Sequence, residues 1–395
     1  MNILFYCDEY PPYKAGGIGS VTKIVAEELV SRGHNVYIIG YYPYEKVKCE
    51  YTNSHGVHVF RYNLNYRDNN LKYFIYRVLR KIRLNKFLVQ KELSFIELKM
   101  KKIIHDKKID IVEFADFYLF NSEARNLKFI KFEVPTILRV HGSLTFMMEN
   151  DKKVKSYIKQ NDIKHFQRCD YVSAVSNYSL QYILNRFSIV HFLRKTIIYN
   201  PIENDFLKKN DALYNNTILF IGKLVETKGC FSLLKAFNLC ASKYPNLRLR
   251  LIGGGDIELA KKNVDSKFKE RVEFLGYCTR EIIAKEIDNC FFACIPTYFE
   301  NFSMVALEVM ARGKTLIFTE RTSGKEIIKD GVNGFLVNPQ DVYSISEKIN
   351  SLMESPEIVA KVGLEAYYTI LQNFTCSRIV DNMETFYSSI IKREV

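Results

Sequence analysis

No apolar run in this chain approaches the roughly 20 residues needed to cross a bilayer, so an ordinary membrane-spanning helix is not expected. The opening "MNILFYCDEYPP" lacks the basic stretch and long apolar core of a signal peptide, which places the protein in the cytoplasm as an expectation. Low-complexity and Pro/Gly/Ser-rich segments are also missing, and disorder is therefore not expected. The nine cysteines, scattered from Cys7 to Cys376, include no C-x-x-C pair, so they read as reduced, packed thiols rather than a disulfide framework or zinc site. Even the closest pair, Cys290 and Cys294, fits that reading. Zinc-finger and RNA-binding signatures are absent as well, which sets nucleic acid aside as a partner despite the net charge of +13.

What is present is globular composition, 47% hydrophobic and 26% charged, over 395 residues. That length suits two domains of about 150 to 200 residues each. The positive charge concentrates between Lys72 and Lys108. Inside that run Leu71, Phe74, Ile75, Val78, Leu79 and Ile82 recur at helical spacing, giving a basic amphipathic helix near Leu71 to Arg83. Two readings are open: a helix packed on its own domain with a solvated basic face, or one that docks on an anionic membrane leaflet, where each Lys or Arg adds roughly 1 kcal/mol.

The order of elements is that of two doubly wound α/β domains. "MNILFYC", a helix over "SVTKIVAEELVSRG" ended by Gly33, and "HNVYIIGYY" form a β-α-β unit, followed by strands in "IDIVEFA", "VPTILRVHG", "YVSAVS" and "KTIIY". After the turn-rich "YNPIENDF" the alternation restarts with "TILFIGK" and continues through "NLRLRLIGG", "RVEFLGY", "CFFACIPT", "KTLIFT" and "NGFLVN". Two such domains, facing each other across a cleft, bind ligands at the carboxyl ends of their strands.

Three segments carry chemistry. In "PPYKAGGIGSV" Gly16, Gly17 and Gly19 allow a sharp turn and close approach to an anion at a helix start. A nucleotide dehydrogenase would need the full G-x-G-x-x-G and an acid after the second strand, and neither is there. In "FIGKLVETKG" Lys223 and Lys228 flank a strand-to-helix turn, where two cations suit a diphosphate; two surface lysines is the plainer alternative. In "YFENFSMVALEVMARGK" a helix begins near Phe302 or Ser303, so that the N–H groups of Phe302, Ser303 and Met304 meet a phosphate or sugar oxygen. Glu300 and Glu308 accept hydrogen bonds from sugar and ribose hydroxyls, which suits acceptor-only carboxylates. A helix-start charge and a solvated helix residue are the plainer readings of the two acids, yet Glu308 stands among Leu307, Val309 and Met310, where a carboxylate needs a partner.

Taken together, "PPYKAGGIG", "GHNVYII", "RVHG", "IYNPIE", "IGKLVETKG", "LIGGG", "VEFLGY" and "PTYFENFSMVALEVMARG" make the chain resemble the family-4 glycosyltransferases, retaining enzymes of the GT-B fold, over nearly its whole length. The resemblance implies an acceptor-side domain of residues 1–200 completed by a returning helix at about 375–395, and a nucleotide-sugar domain of residues 201–374. Ile379, Met383, Phe386 and Ile390, with Tyr387 beside them, give that helix a docking stripe. It implies a diphosphate held by Gly16, Gly17, Lys223 and Lys228, a donor sugar bound by Glu300 with Asn301 and the amides of Phe302, Ser303 and Met304 behind it, and ribose on Glu308. His141 in "RVHG" would contact the sugar near the reacting carbon, and the base edge would rest near Gly276, Tyr277 and Cys278. His141, Lys223, Lys228 and Glu300 are the expected catalytic set.

Two departures stand out: Lys223 replaces the usual Arg, and Ser303 replaces a Gly, which narrows the room for the sugar. The partners implied are a nucleotide-sugar donor and a glycan or lipid-linked acceptor, in assembly of cell-surface polysaccharide or lipopolysaccharide. With no D-x-D motif, neither metal nor other cofactor is expected. A soluble enzyme making a small glycoside or disaccharide, and a non-catalytic homologue that binds nucleotide or a partner, are the alternatives.

Overall fold

The computed structural model describes residues 1–12, 16–42, 50–53, 55–65, 70–149, 155–189, 191–210 and 216–392. Part of the glycine-rich loop, 13–15, the end of "GYYPY" and the last three residues lie outside them. The chain divides into two compact units, Met1–Pro201 with Ile379–Val395, and Ile202–Arg378.

The first unit is built on eight strands: β1 (Asn2–Tyr6), β2 (Asn35–Tyr41), β3 (Glu50–Thr52), β4 (His58–Tyr62), β5 (Ile111–Ala115), β6 (Thr136–Val140), β7 (Tyr171–Ala174) and β8 (Arg194–Ile197). They lie in the order β3-β4-β2-β1-β5-β6-β7-β8. All pair in parallel except β3 with β4. β1 pairs Ile3 with Val36 on one side and with Ile111 on the other. A parallel sheet covered on both faces requires apolar side chains in both directions, which is why these strands read as unbroken apolar runs. Leu4, Val112, Leu138 and Val172 are fully buried at its centre, each such side chain stabilising the fold by about 1.5–3 kcal/mol.

Helix α1 (Gly17–Ser31) follows β1 and ends where Gly33, at φ +85, turns the chain back with its N–H on the Val30 carbonyl. Strands β3 and β4 were not legible in the sequence. The first has three residues, and the second puts His58 and Arg61 among apolar neighbours, which blurs any period.

Helix α2 (Asn70–Lys81) forms where the spacing predicts it, followed by α3 (Lys86–Asp106). Packing of its apolar face on its own domain is the expectation the structure overturns. Leu71, Phe74, Ile75, Val78 and Ile82 are between 44% and 69% exposed, and Tyr76, on another face, is the one buried residue of α2. Its hydroxyl donates to Glu123, and this polar anchor orients the helix with its stripe outward.

The second unit has β9 (Thr217–Ile221), β10 (Arg248–Ile252), β11 (Val272–Gly276), β12 (Phe292–Ile295), β13 (Leu316–Thr319) and β14 (Phe335–Val337), ordered β11-β10-β9-β12-β13-β14. β9 pairs Ile218 with Leu249 and with Phe292. In each unit the order reverses beside its first strand, at β1/β5 and at β9/β12. Chain leaving these pairs opens the crevice in which open α/β sheets take ligands.

The helix Cys376–Ile391 starts in the second unit and belongs to the first from Ile379 onward. Ile379, Met383, Phe386, Tyr387 and Ile390 are buried. Tyr387 donates its hydroxyl proton to Glu113 at 2.6 Å. Arg32 of α1 clasps the helix from its exposed side, 2.6 Å from Asp381 and 2.7 Å from Glu384.

Candidate active site

In the second unit the chain leaves β9 as Gly222, Lys223 and Leu224, makes a short 3-10 turn over Glu226–Lys228, and enters a helix at Cys230. Gly229 joins turn to helix at φ +74, and a side chain there would put its Cβ 1.9 Å from the carbonyl oxygen of Pro296. Only glycine fits that contact between the two loops. The loop after β12 is tied to the same turn: Tyr298 N–H donates to the Thr227 carbonyl at 3.0 Å, and the Thr297 hydroxyl lies 3.0 Å from that oxygen. These bonds bring Lys228 and Glu300 together, Nζ to Oε2 at 2.8 Å, with both side chains partly open to solvent.

The backbone of Glu300 is fixed on both sides. Its N–H donates to Thr322 Oγ1 at 3.3 Å and its carbonyl accepts from Ser323 Oγ at 3.3 Å. Asn301 carries a buried amide oxygen with no hydrogen-bond partner among the described residues. A buried acceptor left empty costs free energy unless something fills it, so it marks a position where a hydroxyl or N–H is expected.

The helix Met304–Ala311 begins one residue later than Ser303, whose Oγ accepts from the Ala306 N–H at 3.2 Å. Ser303 is buried and its hydroxyl is engaged as the cap. In place of the Gly expected there, Ser303 supplies the side chain that caps the helix. Phe302, also buried, packs its ring 5.7 Å from that of Phe374 and sets the angle of entry. Met304 is half-buried.

Glu308 is 7% exposed. Burial, opposed by Arg280 and aided by nearby Glu203, pushes its carboxyl up to about 7. The partner that the sequence required but did not identify is Arg280, whose guanidinium lies 3.6 Å from Glu308, 2.5 Å from Glu203, and over the Phe206 ring at 4.6 Å. No spacing rule points to Arg280; its position in "YCTREI" right after β11 is the signal a topology would give.

Lys223 is exposed and makes no ion pair among the described residues, in contrast to Lys228. Gly253 to Gly255 end β10, and a side chain on Gly254 would strike the ring of Tyr277 at 2.3 Å. Tyr277 itself is 86% exposed, an open aromatic face after Gly276, which turns at φ +67. Cys278 is half-buried, its thiol 3.9 Å from the Leu275 and Gly276 carbonyls.

His141, Gly16 and Gly17 belong to the first unit. His141 follows β6, and Asp116, fully buried after β5, accepts from the N–H groups of His141 at 2.9 Å and Gly142 at 2.9 Å. Burial and then the Arg139 charge hold the His141 imidazole well below its ordinary range, so it is neutral. At the start of α1 the sequence reading meets an unforeseen occupant. Glu9 accepts from the N–H groups of Gly16 and Gly19, each at 3.1 Å. The carboxylate already takes the anion's place on Gly16, while Gly17 is exposed with open space where a side chain would stand. Glu9 was missed because no sequence rule pairs a carboxylate with glycine N–H groups seven and ten residues on.

No group of three or more His, Cys, Asp or Glu side chains converges as a metal would require among the described residues. No helix among them is long and apolar enough to cross a membrane.

Comparison with known proteins gives matches over most of the chain. Residues 202–368 match the family model "Glycosyl transferases group 1", and residues 15–206 match "Glycosyltransferase Family 4". An uncharacterized glycosyltransferase of Methanocaldococcus jannaschii is 26% identical over 375 residues, 89% of each chain. A capsular polysaccharide biosynthesis glycosyltransferase of Staphylococcus aureus is 26% identical over 207 residues, 51% of this chain and 53% of that protein. Among solved structures, sucrose-phosphate synthase from Thermosynechococcus elongatus superposes with a TM-score of 0.78 at 16% identity, over 99% of both chains. Anabaena HepE in complex with UDP-glucose does so with 0.68 at 17%, over 98% of this chain and all of that one. Between them the two glycosyltransferase family models match residues 15–368, and the fold is that of the GT-B glycosyltransferases.

Proposed function

We propose that this protein is a retaining family-4 glycosyltransferase that moves a sugar from a nucleotide-diphosphate sugar to a glycan or lipid-linked acceptor. The setting we propose is assembly of cell-surface polysaccharide or lipopolysaccharide, on the cytoplasmic face of the membrane. The observation that carries the reading is the Lys228–Glu300 pair joining the loops after β9 and β12, with Asn301 next in the chain and the buried Glu308 on the helix that follows. A cation for the leaving diphosphate, acceptors for sugar hydroxyls and a carboxyl for the ribose diol are what a nucleotide sugar needs. A relative named for capsular polysaccharide biosynthesis supports the setting, and a fold neighbour bound to UDP-glucose supports the donor class.

In this reading the diphosphate leaves toward Lys228 and Lys223, and the amides at the start of the helix Met304–Ala311 add positive potential as negative charge grows. The acceptor hydroxyl attacks from the face the diphosphate leaves. Its proton passes to the departing phosphate oxygen, the carbon–oxygen bond to the acceptor forms and the bond to the diphosphate breaks. Neutral His141 donates or accepts a hydrogen bond without adding charge beside the oxocarbenium-like carbon. In this reading Lys223 and Lys228 supply the positive charge for the leaving group, and no divalent ion is invoked.

A soluble enzyme making a small glycoside is the second reading, favoured by the fold it shares with sucrose-phosphate synthase. The test is the melting-temperature shift of the protein with UDP-, GDP-, ADP- and CMP-sugars, followed by transfer assays with lipid-linked and water-soluble acceptors. A shift with one nucleotide class, lost in Glu308→Ala, and transfer that keeps the anomeric configuration support the proposal. Transfer to water-soluble acceptors alone selects the second reading. Binding without transfer leaves a non-catalytic homologue.

A further inference from the structure

The exposed stripe of α2 does not stand alone. Beside its last turn is a cavity of about 350 Å³ whose wall includes Arg80, Lys81, Arg83, Lys86, Arg125 and Lys155. None of these six cations makes an ion pair among the described residues. The one carboxylate in the wall, Glu123, is buried and already accepts from Tyr76. Asn85 donates to the Glu123 carbonyl at 2.7 Å, and Tyr157 donates its hydroxyl to the Ser122 carbonyl at 3.1 Å while its ring lies 5.4 Å from the Arg125 guanidinium. The floor of the cavity is therefore hydrogen-bonded and its cations are left facing open space. Six like charges around one hollow repel one another, and a bound anion removes that repulsion.

The same helix whose last turn borders the hollow through Arg80 and Lys81 also carries an exposed apolar face. Leu71, Phe74, Ile75, Val78 and Ile82 form one exposed helical face, and Leu84 and Phe87, 65% and 77% exposed, follow in the chain after α2. Lys72 and Arg77 flank the stripe on the helix itself. An apolar strip bordered by cations, on a helix whose last turn lines an anion-sized basic hollow, matches an amphiphile whose headgroup is a phosphate and whose chains are aliphatic.

We infer that this part of the first unit docks on an anionic lipid bilayer, with a phospholipid phosphate in the Arg80–Arg83–Arg125 hollow and α2 lying in the interface on its apolar stripe. The inference rests on the reading of the acceptor as membrane-borne, and it names the surface and headgroup chemistry by which the protein would reach such an acceptor. Charge complementarity commits the site to an anionic bilayer: a second copy of this chain would bring a second set of like charges to the same place.

The test is flotation of the full chain with vesicles of phosphatidylcholine alone and of phosphatidylcholine mixed with phosphatidylglycerol, at low and at high salt. The expected result is binding to the anionic vesicles only, weakened by salt. The double variant Arg83→Glu/Arg125→Glu and the stripe variant Phe74→Ser/Val78→Ser should each lower partitioning by about tenfold or more. Both change exposed positions, so an unaltered melting temperature confirms that the fold is kept. Failure of the wild type to bind anionic vesicles at low salt overturns the inference. So does saturable binding of inorganic phosphate that the hollow variant abolishes while vesicle binding is untouched, which would mark a site for a soluble anion. Dimers in gel filtration that the stripe variant dissolves would assign the stripe to self-association and overturn it as well. Nucleotide-sugar melting shifts on the same samples separate this outcome from failure of the proposed reaction, because vesicle binding requires no donor.

Discussion

Lys228 Nζ stands 2.8 Å from Glu300 Oε2, so the cation proposed for the leaving diphosphate and the acceptor proposed for the sugar hold each other before any donor arrives. A bound diphosphate competes for the ammonium and releases the carboxylate to the sugar hydroxyls. Both side chains are partly solvated, so the pair itself contributes little to stability. Lys228→Ala is expected to lower kcat about a hundredfold to a thousandfold, the usual cost of losing one transition-state charge partner. Steady-state transfer or donor hydrolysis reads this directly. An unchanged kcat would remove Lys228 from the leaving-group role.

Glu308 gives a pH signature. Its carboxyl is raised from 4.5 to about 7 by burial, so between those values the folded chain keeps a proton that the unfolded chain has released. Its contribution to stability is complete below about 4.5 and declines as pH rises through about 7. Donor binding should run the other way, because only the ionised form accepts from both ribose hydroxyls. Affinity is expected to rise through pH 7 in the wild type and to stay flat in Glu308→Gln, with Arg280 and Glu203 unchanged beside it. Calorimetry across that range decides it, and parallel profiles for the two proteins would contradict the assignment.

Gly229 is the hinge on which the Lys228 turn depends. At φ +74, with a Cβ that would sit 1.9 Å from the Pro296 carbonyl, Gly229→Ala must displace backbone. A loss of more than about 1 kcal/mol in chemical denaturation is expected, with weaker donor binding from the shifted lysine.

Tyr387 and Glu113 form a buried pair 274 positions apart in sequence. Burial pushes the Glu113 carboxyl above its ordinary range, with Arg139 and the Tyr387 hydroxyl acting against that. Tyr387→Phe removes a donor without removing ring volume and should cost about 1–3 kcal/mol. Urea unfolding followed through the first unit's signals would show it, and a neutral result would mean water replaces the hydroxyl.

Most of the two sheets could be read because parallel strands buried on both faces need continuous apolar runs, and "NILFY" and "TILFI" are such runs. β3 could not, since three residues hold no period, and β4 hides Arg61 in its pattern. In the candidate site, Glu300 and Glu308 could be singled out by their spacing within one motif and Lys228 by its place in another. Arg280 and Asp116 could not, because each acts on a residue about 25 or more positions away, and Glu9 could not, because no spacing rule pairs a carboxylate with glycine N–H groups seven and ten residues on. The helix α2 shows the reverse limit. Its periodicity was plain, but a moment says that one face differs from another and not whether protein or solvent lies against it.

The helix Cys376–Ile391 has a consequence for synthesis. A nascent chain that has emerged as far as residue 378 contains every strand of the eight-stranded sheet, yet the slot that Tyr387 and Met383 fill is still bare and Glu113 still lacks its donor. The second unit's segment, Ile202–Arg378, is contiguous and can close as it leaves the ribosome. The unit begun first is thus completed last, and a ribosome that stalls near the end would release a protein with one finished unit and one exposing an apolar groove to chaperones.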